Sequence, residues 1–188
     1  ELPKTLANVR GESGDELVFG KPYVVAKSAN GTRVAMIGLL GEQILEQVSP
    51  AGPSFRVEDP VEALKRVAPK AREEADLVVV IAHMDAEEAR KLAEVGGVDV
   101  VLCAHSLKKI TMPPEGENVV QQTSETVGNV VLIESQSRFG WNVGRLDLRR
   151  VDGHWRAVDH RLYFLDRAYK EHPDMVKVYD DYNEKVRE

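Results

Sequence analysis

Two apolar runs dominate the hydrophobic pattern of the chain. Leu77–His83 reads Leu-Val-Val-Val-Ile-Ala-His, and residues 98–105 read Val-Asp-Val-Val-Leu-Cys-Ala-His. Neither alternates regularly with polar residues, so each predicts a strand buried on both faces, as parallel strands between helix layers are. Between them, Ala89, Leu92, Ala93 and Val95 recur at helical spacing, which makes the unit strand, helix, strand. In open sheets of this kind ligands bind in the crevice beyond the carboxyl ends of the strands. Both runs end in a histidine, so His83 and His105 are expected to point into that crevice. A histidine at a strand end is also an ordinary hydrogen-bonded residue; the matching placement on neighbouring strands is what singles out this pair.

The pattern on either side fills in a layered domain. Residues 5–9 predict a short strand and residues 12–16 a polar loop. Residues 23–27 and 33–39 predict two strands joined at Asn30-Gly31, a strong hairpin signal. Pro50, Gly52 and Pro53 mark residues 41–54 as an irregular connection. Asp59 followed by Pro60 is a favoured helix start, with Val61, Leu64, Ala68 and Ala71 along one face, and Pro69 is expected to kink or split that helix. Asp85 with Glu88 three residues on suggests the cap of the next helix, which Gly96-Gly97 ends. Asp85 has a second reading as a partner that orients His83, as ligating imidazoles usually require.

Beyond residue 105 the elements shorten. Residues 112–117 predict a turn-rich loop, and residues 119–122 and 130–135 two strands. Residues 143–150 and 155–165 predict a hairpin around Asp152-Gly153. This antiparallel or mixed series is expected to extend the sheet begun upstream. Asp174 opens a charged helix that carries Met175, Val178, Tyr179 and Tyr182 on one stripe, suited to docking on the domain or leading into a further module. Residues 1–165 are thus expected to form the domain and residues 166–188 a charged helical tail or linker.

Composition narrows the functional classes. A chain of 188 residues is long enough for one core. A net charge of -6 argues against a nucleic-acid footprint, and Lys108-Lys109 and Arg149-Arg150 read as solvated surface. No apolar stretch reaches the roughly 18 residues of a membrane helix, so neither nucleic acid nor membrane is an expected partner. Cys103 is the sole cysteine, which rules out an intrachain disulfide, and inside an apolar strand it reads as a small buried hydrophobe.

Taken in order, strand-His-Met-Asp (His83 to Asp85), Cys-Ala-His-Ser (Cys103 to Ser106) and residues 134–148, Glu-Ser-Gln-Ser-Arg-Phe-Gly-Trp-Asn-Val-Gly-Arg-Leu-Asp-Leu, resemble the calcineurin-like metallophosphoesterases of the 5'-nucleotidase type. Leu6-Ala7-Asn8-Val9, Lys21-Pro22-Tyr23 and residues 34–39 are similar to the same family in the same order, so the resemblance runs from about Leu2 to about Leu165. It implies an α/β fold: a layered metallophosphoesterase-like half-domain, a mixed sheet with flanking helices. It also implies His83 and His105 as metal ligands, with the residue after Ser106 as a third.

The implied chemistry is hydrolysis of a nucleotide or other phosphate ester by two divalent cations (Mn, Zn, Fe or Co) about 3.5 to 4 Å apart. A periplasmic or extracellular location and a possible downstream module go with it. Two departures stand out. The family's opening Asp-x-His strand end, its bridging Asp and its Gly-Asn-His turn are not found ahead of these segments, which suggests the later part of such a domain. Leu107 also occupies the third ligand position, where leucine cannot coordinate. Two classes of function follow: a phosphoesterase segment that is inactive as an isolated chain, or a non-catalytic scaffold or interaction domain derived from one.

Overall fold

The computed structural model describes residues 3–11, 14, 16–41, 44, 55–104, 112–134, 142–165 and 169–187. The strands are β1 (Val9–Gly11), β2 (Val24–Lys27), β3 (Arg33–Leu40), β4 (Phe55–Val57), β5 (Leu77–His83), β6 (Val100–Ala104), β7 (Val119–Gln121), β8 (Glu125–Val127), β9 (Val130–Glu134), β10 (Asn142–Val151) and β11 (His154–Phe164). The helices are α1 (Pro60–Glu74), α2 (Ala86–Ala93) and α3 (Pro173–Arg187).

Six strands form the main sheet in the order β2-β3-β5-β6-β9-β8, with β3, β5, β6 and β9 parallel to their neighbours and β2 and β8 antiparallel at the two edges. The Asn30-Gly31 signal does join β2 to β3, with Gly31 at φ +90°. Helices α1 and α2 cover one face, α1 over β3 and β5, α2 over β6 and β9. Ile37, Leu39, Leu64, Val78, Val80 and Leu92 are buried in this layer, each worth about 1.5–3 kcal/mol of apolar burial.

Helix α1 starts as expected, the Asp59 carboxylate accepting from Glu62 N at 2.8 Å with Pro60 at the first position. The expected split at Pro69 does not occur: Pro60–Glu74 is one helix with Pro69 inside it. Pro69 lies on the exposed side of the helix, where water is available to the Lys65 carbonyl that loses its donor.

The second strand series also departs from expectation. Only β8 and β9 join the main sheet. Strands β10, β11 and β7 make a separate antiparallel sheet in that order, packed against the other face of the main sheet through Leu146, Leu148, Trp155 and Ala157 on Leu77, Val100, Val131 and Ile133. The β10–β11 turn has Asp152 at φ 50° and Gly153 at φ 81°, the paired positive values of the hairpin turn that the Asp-Gly sequence favours.

Residues 5–9 are not one strand. Thr5 makes isolated bridges to Gly20 and Lys21, and β1 begins at Val9 and pairs with β4, which the sequence did not reveal. In α3 the expected stripe is exposed, with Met175 63% and Tyr179 67% accessible. No helix among the described residues is long and apolar enough to cross a membrane.

Candidate functional site

The four parallel strands finish level with one another. Leu40 is in register with His83, His83 with Ala104, and Cys103 with Glu134. Two backbone bonds tie the strand ends together: Gly41 N donates to His83 O, and Met84 N donates to Ala104 O, both at 3.0 Å. His83 therefore ends a central strand at the carboxyl edge, on a fixed backbone with an exposed side chain.

Strand alternation settles which way His83 faces. Val78, Val80 and Ala82 pack in the helix-side core, so Leu77, Val79, Ile81 and His83 lie on the face toward the second sheet. Ile81 is 47% exposed, which corrects the expectation of a strand buried on both faces: among the described residues the second sheet packs on Leu77 and Val79 and leaves Ile81 open.

Of the other residues singled out from sequence, Asp85 is the N-cap of α2, its carboxylate accepting from Glu88 N at 2.8 Å. Glu88 reaches back over the sheet edge, where a Cβ on Gly41 would meet Glu88 Oε2 at 2.5 Å and Met84 Cβ at 2.8 Å. Glycine at 41 is what lets that carboxylate approach. Cys103 is buried beneath α2. His105, Ser106 and Leu107 lie outside the described residues, as do Lys108 and Lys109. The Asp-x-His spacing does occur once, from Asp152 to His154, but in the hairpin turn at the opposite end of the sheets, beside Gly97, Asp99 and Asn129.

Two residues emerge that the sequence reading gave no role. Asn8 is fully buried; its Nδ2 donates to Leu40 O at 2.7 Å and Glu58 O at 2.9 Å, and its Oδ1 accepts from Leu40 N at 3.0 Å. Glu58 is also gripped by Arg66 at 2.7 Å and Arg10 at 3.1 Å. Burial pushes its carboxyl up, but the two guanidiniums outweigh that and leave it below its ordinary value. Both anchors of the 41–54 connection are thereby fixed beside His83.

Asn142 is the second. It opens β10 and is 6% exposed, yet neither its Nδ2 nor its Oδ1 has a hydrogen-bond partner. The hairpin tip lies at the amino edge, where Trp155 Nε1 donates to Asp76 O at 3.0 Å and Arg156 to Asn129 O at 3.2 Å. Asn142 is thus at the carboxyl end, and it shares the inward face of β10 with Leu146 and Leu148.

No protein-family model matches the chain. Among curated proteins it is 24% identical over 206 residues to an apyrase of Aedes albopictus, covering 100% of this chain and 36% of that protein. It is 23% identical over 194 residues to the uncharacterised metallophosphoesterase YunD of Bacillus subtilis, covering 100% and 37%. The solved NAD nucleotidase of Haemophilus influenzae superposes with a TM-score of 0.62 at 18% identity, over 94% of this chain and 39% of that one. The sulfate thiohydrolase SoxB of Thermus thermophilus does so with a TM-score of 0.65 at 20% identity, over 93% and 30%.

The fold is that of the 5'-nucleotidase-type metallophosphoesterases.

The chain spans about a third of the length of the curated relatives it matches. A metallophosphoesterase fold implies divalent metals in the parent protein, and the donor set tests how far these residues fit. His83 presents an accessible imidazole at the right edge. Among the described residues, however, no three His, Cys, Asp or Glu side chains converge as a metal centre would need.

Proposed function

We propose that this chain is part of a metal-dependent phosphoesterase acting on nucleotides or other phosphate esters, and that it supplies the imidazoles of His83 and His105 to the metal centre. The observation that carries the reading is His83: an accessible imidazole that ends a central parallel strand, its backbone fixed by Gly41 N at 3.0 Å, at the edge where such sheets bind ligands. His83 and His105 would hold a divalent metal there, which would supply Lewis-acid polarisation of a phosphoryl oxygen and activation of a bound water.

The chain's own part is binding and orientation. A neutral imidazole brings a donor but no charge, so two of them cannot offset two divalent cations without carboxylates from elsewhere. The acidic motifs that the resemblance calls for do not precede His83 in these 188 residues, and the isolated chain is expected to show no turnover. Asn142 fits the same reading, since its amide offers a donor and an acceptor to a ligand between the layers.

The test is hydrolysis of a nucleoside monophosphate and of an aryl phosphate, with added Mn, by a longer polypeptide that includes the Asp-x-His and Gly-Asn-His motifs. Activity that falls at least about a hundredfold with His83→Ala, as loss of a ligand or its support costs, is the expected result. Leu107 favours the second reading, a non-catalytic scaffold. Inactivity of the folded longer polypeptide, with or without Leu107→His, would establish that reading instead.

A further inference from the structure

At the amino edge, away from His83, the end of α2, the β8–β9 turn and the β10–β11 turn surround a cleft of about 690 Å³. Arg72, Gly97, Asp99, Asn129, Arg150 and His154 line it. Its walls are pinned. Arg72 pairs with Asp99 and donates to Gly97 O at 3.3 Å and Asp76 O at 3.2 Å; Arg156 donates to Asn129 O at 3.2 Å and to Asn129 Oδ1 at 2.9 Å. Asp99 also accepts from Val78 N at 2.8 Å, so its charge is spent within the wall. Val95, Val98 and Val127 give the cleft an apolar side.

The arginines of the β10–β11 hairpin differ in how they are matched. Arg145 holds Asp147 at 2.9 Å and Arg161 holds Asp159 at 2.8 Å, whereas Arg149, Arg150 and Arg156 pair with no carboxylate among the described residues. Arg149 and Arg156 are direct cross-strand partners, and like charges placed opposite each other destabilise a strand pair. A bound anion would remove that cost. Asp76, whose carboxyl feels Arg150, is already held by Arg33. Glu94 at the end of α2 and Asp152 in the turn oppose the three guanidiniums, which leaves this tip positive in a chain whose net charge is -6.

We propose that this cleft binds a small organic phosphate, its phosphate held by Arg150 with Arg149 and Arg156 at the rim and its apolar part resting on Val95, Val98 and Val127. A guanidinium presents its N–H groups in a fork that matches phosphate oxygens. The volume is that of a small-molecule site and exceeds what a bare phosphate fills. The site is separate from the one that His83 marks and needs no metal.

Phenyl phosphate is titrated into the whole chain without metal, at about 150 mM NaCl so that exposed charges are screened beyond about 8 Å. The backbone amide signals of Gly97, Gly128, Asn129 and Gly153 are followed by NMR, and that of Gly41 reports the His83 edge separately. Expected are saturable shifts at the four cleft amides, with or without a response at Gly41, and at least about tenfold weaker affinity for inorganic phosphate. Arg150→Gln, an exposed change that breaks no pair, should weaken binding at least about tenfold, as loss of one charged hydrogen bond does. Lys65→Gln, which removes the same charge elsewhere, should leave binding unchanged. No saturable shift at the cleft amides, equal affinity for inorganic phosphate, or equal effects of Arg150→Gln and Lys65→Gln would each overturn the proposal.

Discussion

Asn8 and Leu40 are joined by a two-way amide pair, Asn8 Nδ2 to Leu40 O at 2.7 Å and Leu40 N to Asn8 Oδ1 at 3.0 Å. The same Nδ2 reaches Glu58 O at 2.9 Å, so one side chain clamps both ends of the connection that leaves β3 beside His83. Asn8→Ala strands these groups in a dry setting and should cost about 2–4 kcal/mol, since each buried polar group left unsatisfied costs about 1–3. Asn8→Asp should be at least as damaging at neutral pH, because a carboxylate faces two carbonyl oxygens. Urea unfolding of the three proteins measures this; unchanged midpoints would show that the clamp is dispensable.

Acid should release a second fastening, at the amino edge. Arg33 binds Asp76 through its side chain at 2.8 and 3.2 Å and through its backbone N at 2.9 Å, and these bonds hold the Asp76 carboxyl at about 2 against an ordinary 3.8. A carboxyl lowered by folding adds stability that is fully present above its ordinary value and is lost as pH falls toward its folded value. The stability gap between the native chain and Asp76→Asn should therefore hold steady above about pH 5 and close between about pH 4 and pH 2. Because the pair is partly exposed, added salt should narrow the gap at neutral pH. A gap that widens on acidification would contradict the assignment.

Asn142 makes the opposite prediction in sign. Its buried amide has no partner, so Asn142→Leu exchanges an unsatisfied polar group for an apolar one of similar size. The isolated chain should gain about 1 kcal/mol, because such replacements are neutral to stabilising. Thermal or urea unfolding reads the change. A clear loss of stability would mean that the amide is already satisfied in solution, for instance by ordered water.

What the sequence disclosed was local chemistry repeated in the fold. Asn30-Gly31, Asp59-Pro60, Asp85 with Glu88 and Asp152-Gly153 each specify a turn or cap through their own backbone preferences, and each stands where expected. Lateral and facing arrangements were not legible. The alternation in β10 and β11 is the same whether the strands extend a sheet or pack across it, so the split into two sheets left no mark. Nor does hydrophobicity say what covers a residue: Ile81 looks like its neighbours in the run yet is half exposed.

The site shows the same division. His83 is legible because a polar residue ends an apolar strand, and its place at the carboxyl edge follows from the parallel registers. Asn8 and Asn142 carry no local signal, since a single asparagine between apolar neighbours, Ala7 and Val9 or Trp141 and Val143, does not disclose what its amide meets in the fold. The split at Pro69 did not occur for a related reason: the carbonyl that loses its donor lies on the exposed side of the helix, and exposure is decided by the fold.

The central claim is that this chain brings two neutral imidazoles, and not a complete centre, to a metal site. Calorimetric titration of Zn or Mn at a pH above about 7, where imidazole is unprotonated, tests it most directly on the native chain and on the His83→Ala, His105→Ala double variant. The account predicts weak binding by the native chain that the double variant abolishes. Tight binding of two metals per chain, or binding that survives loss of both histidines, would contradict it.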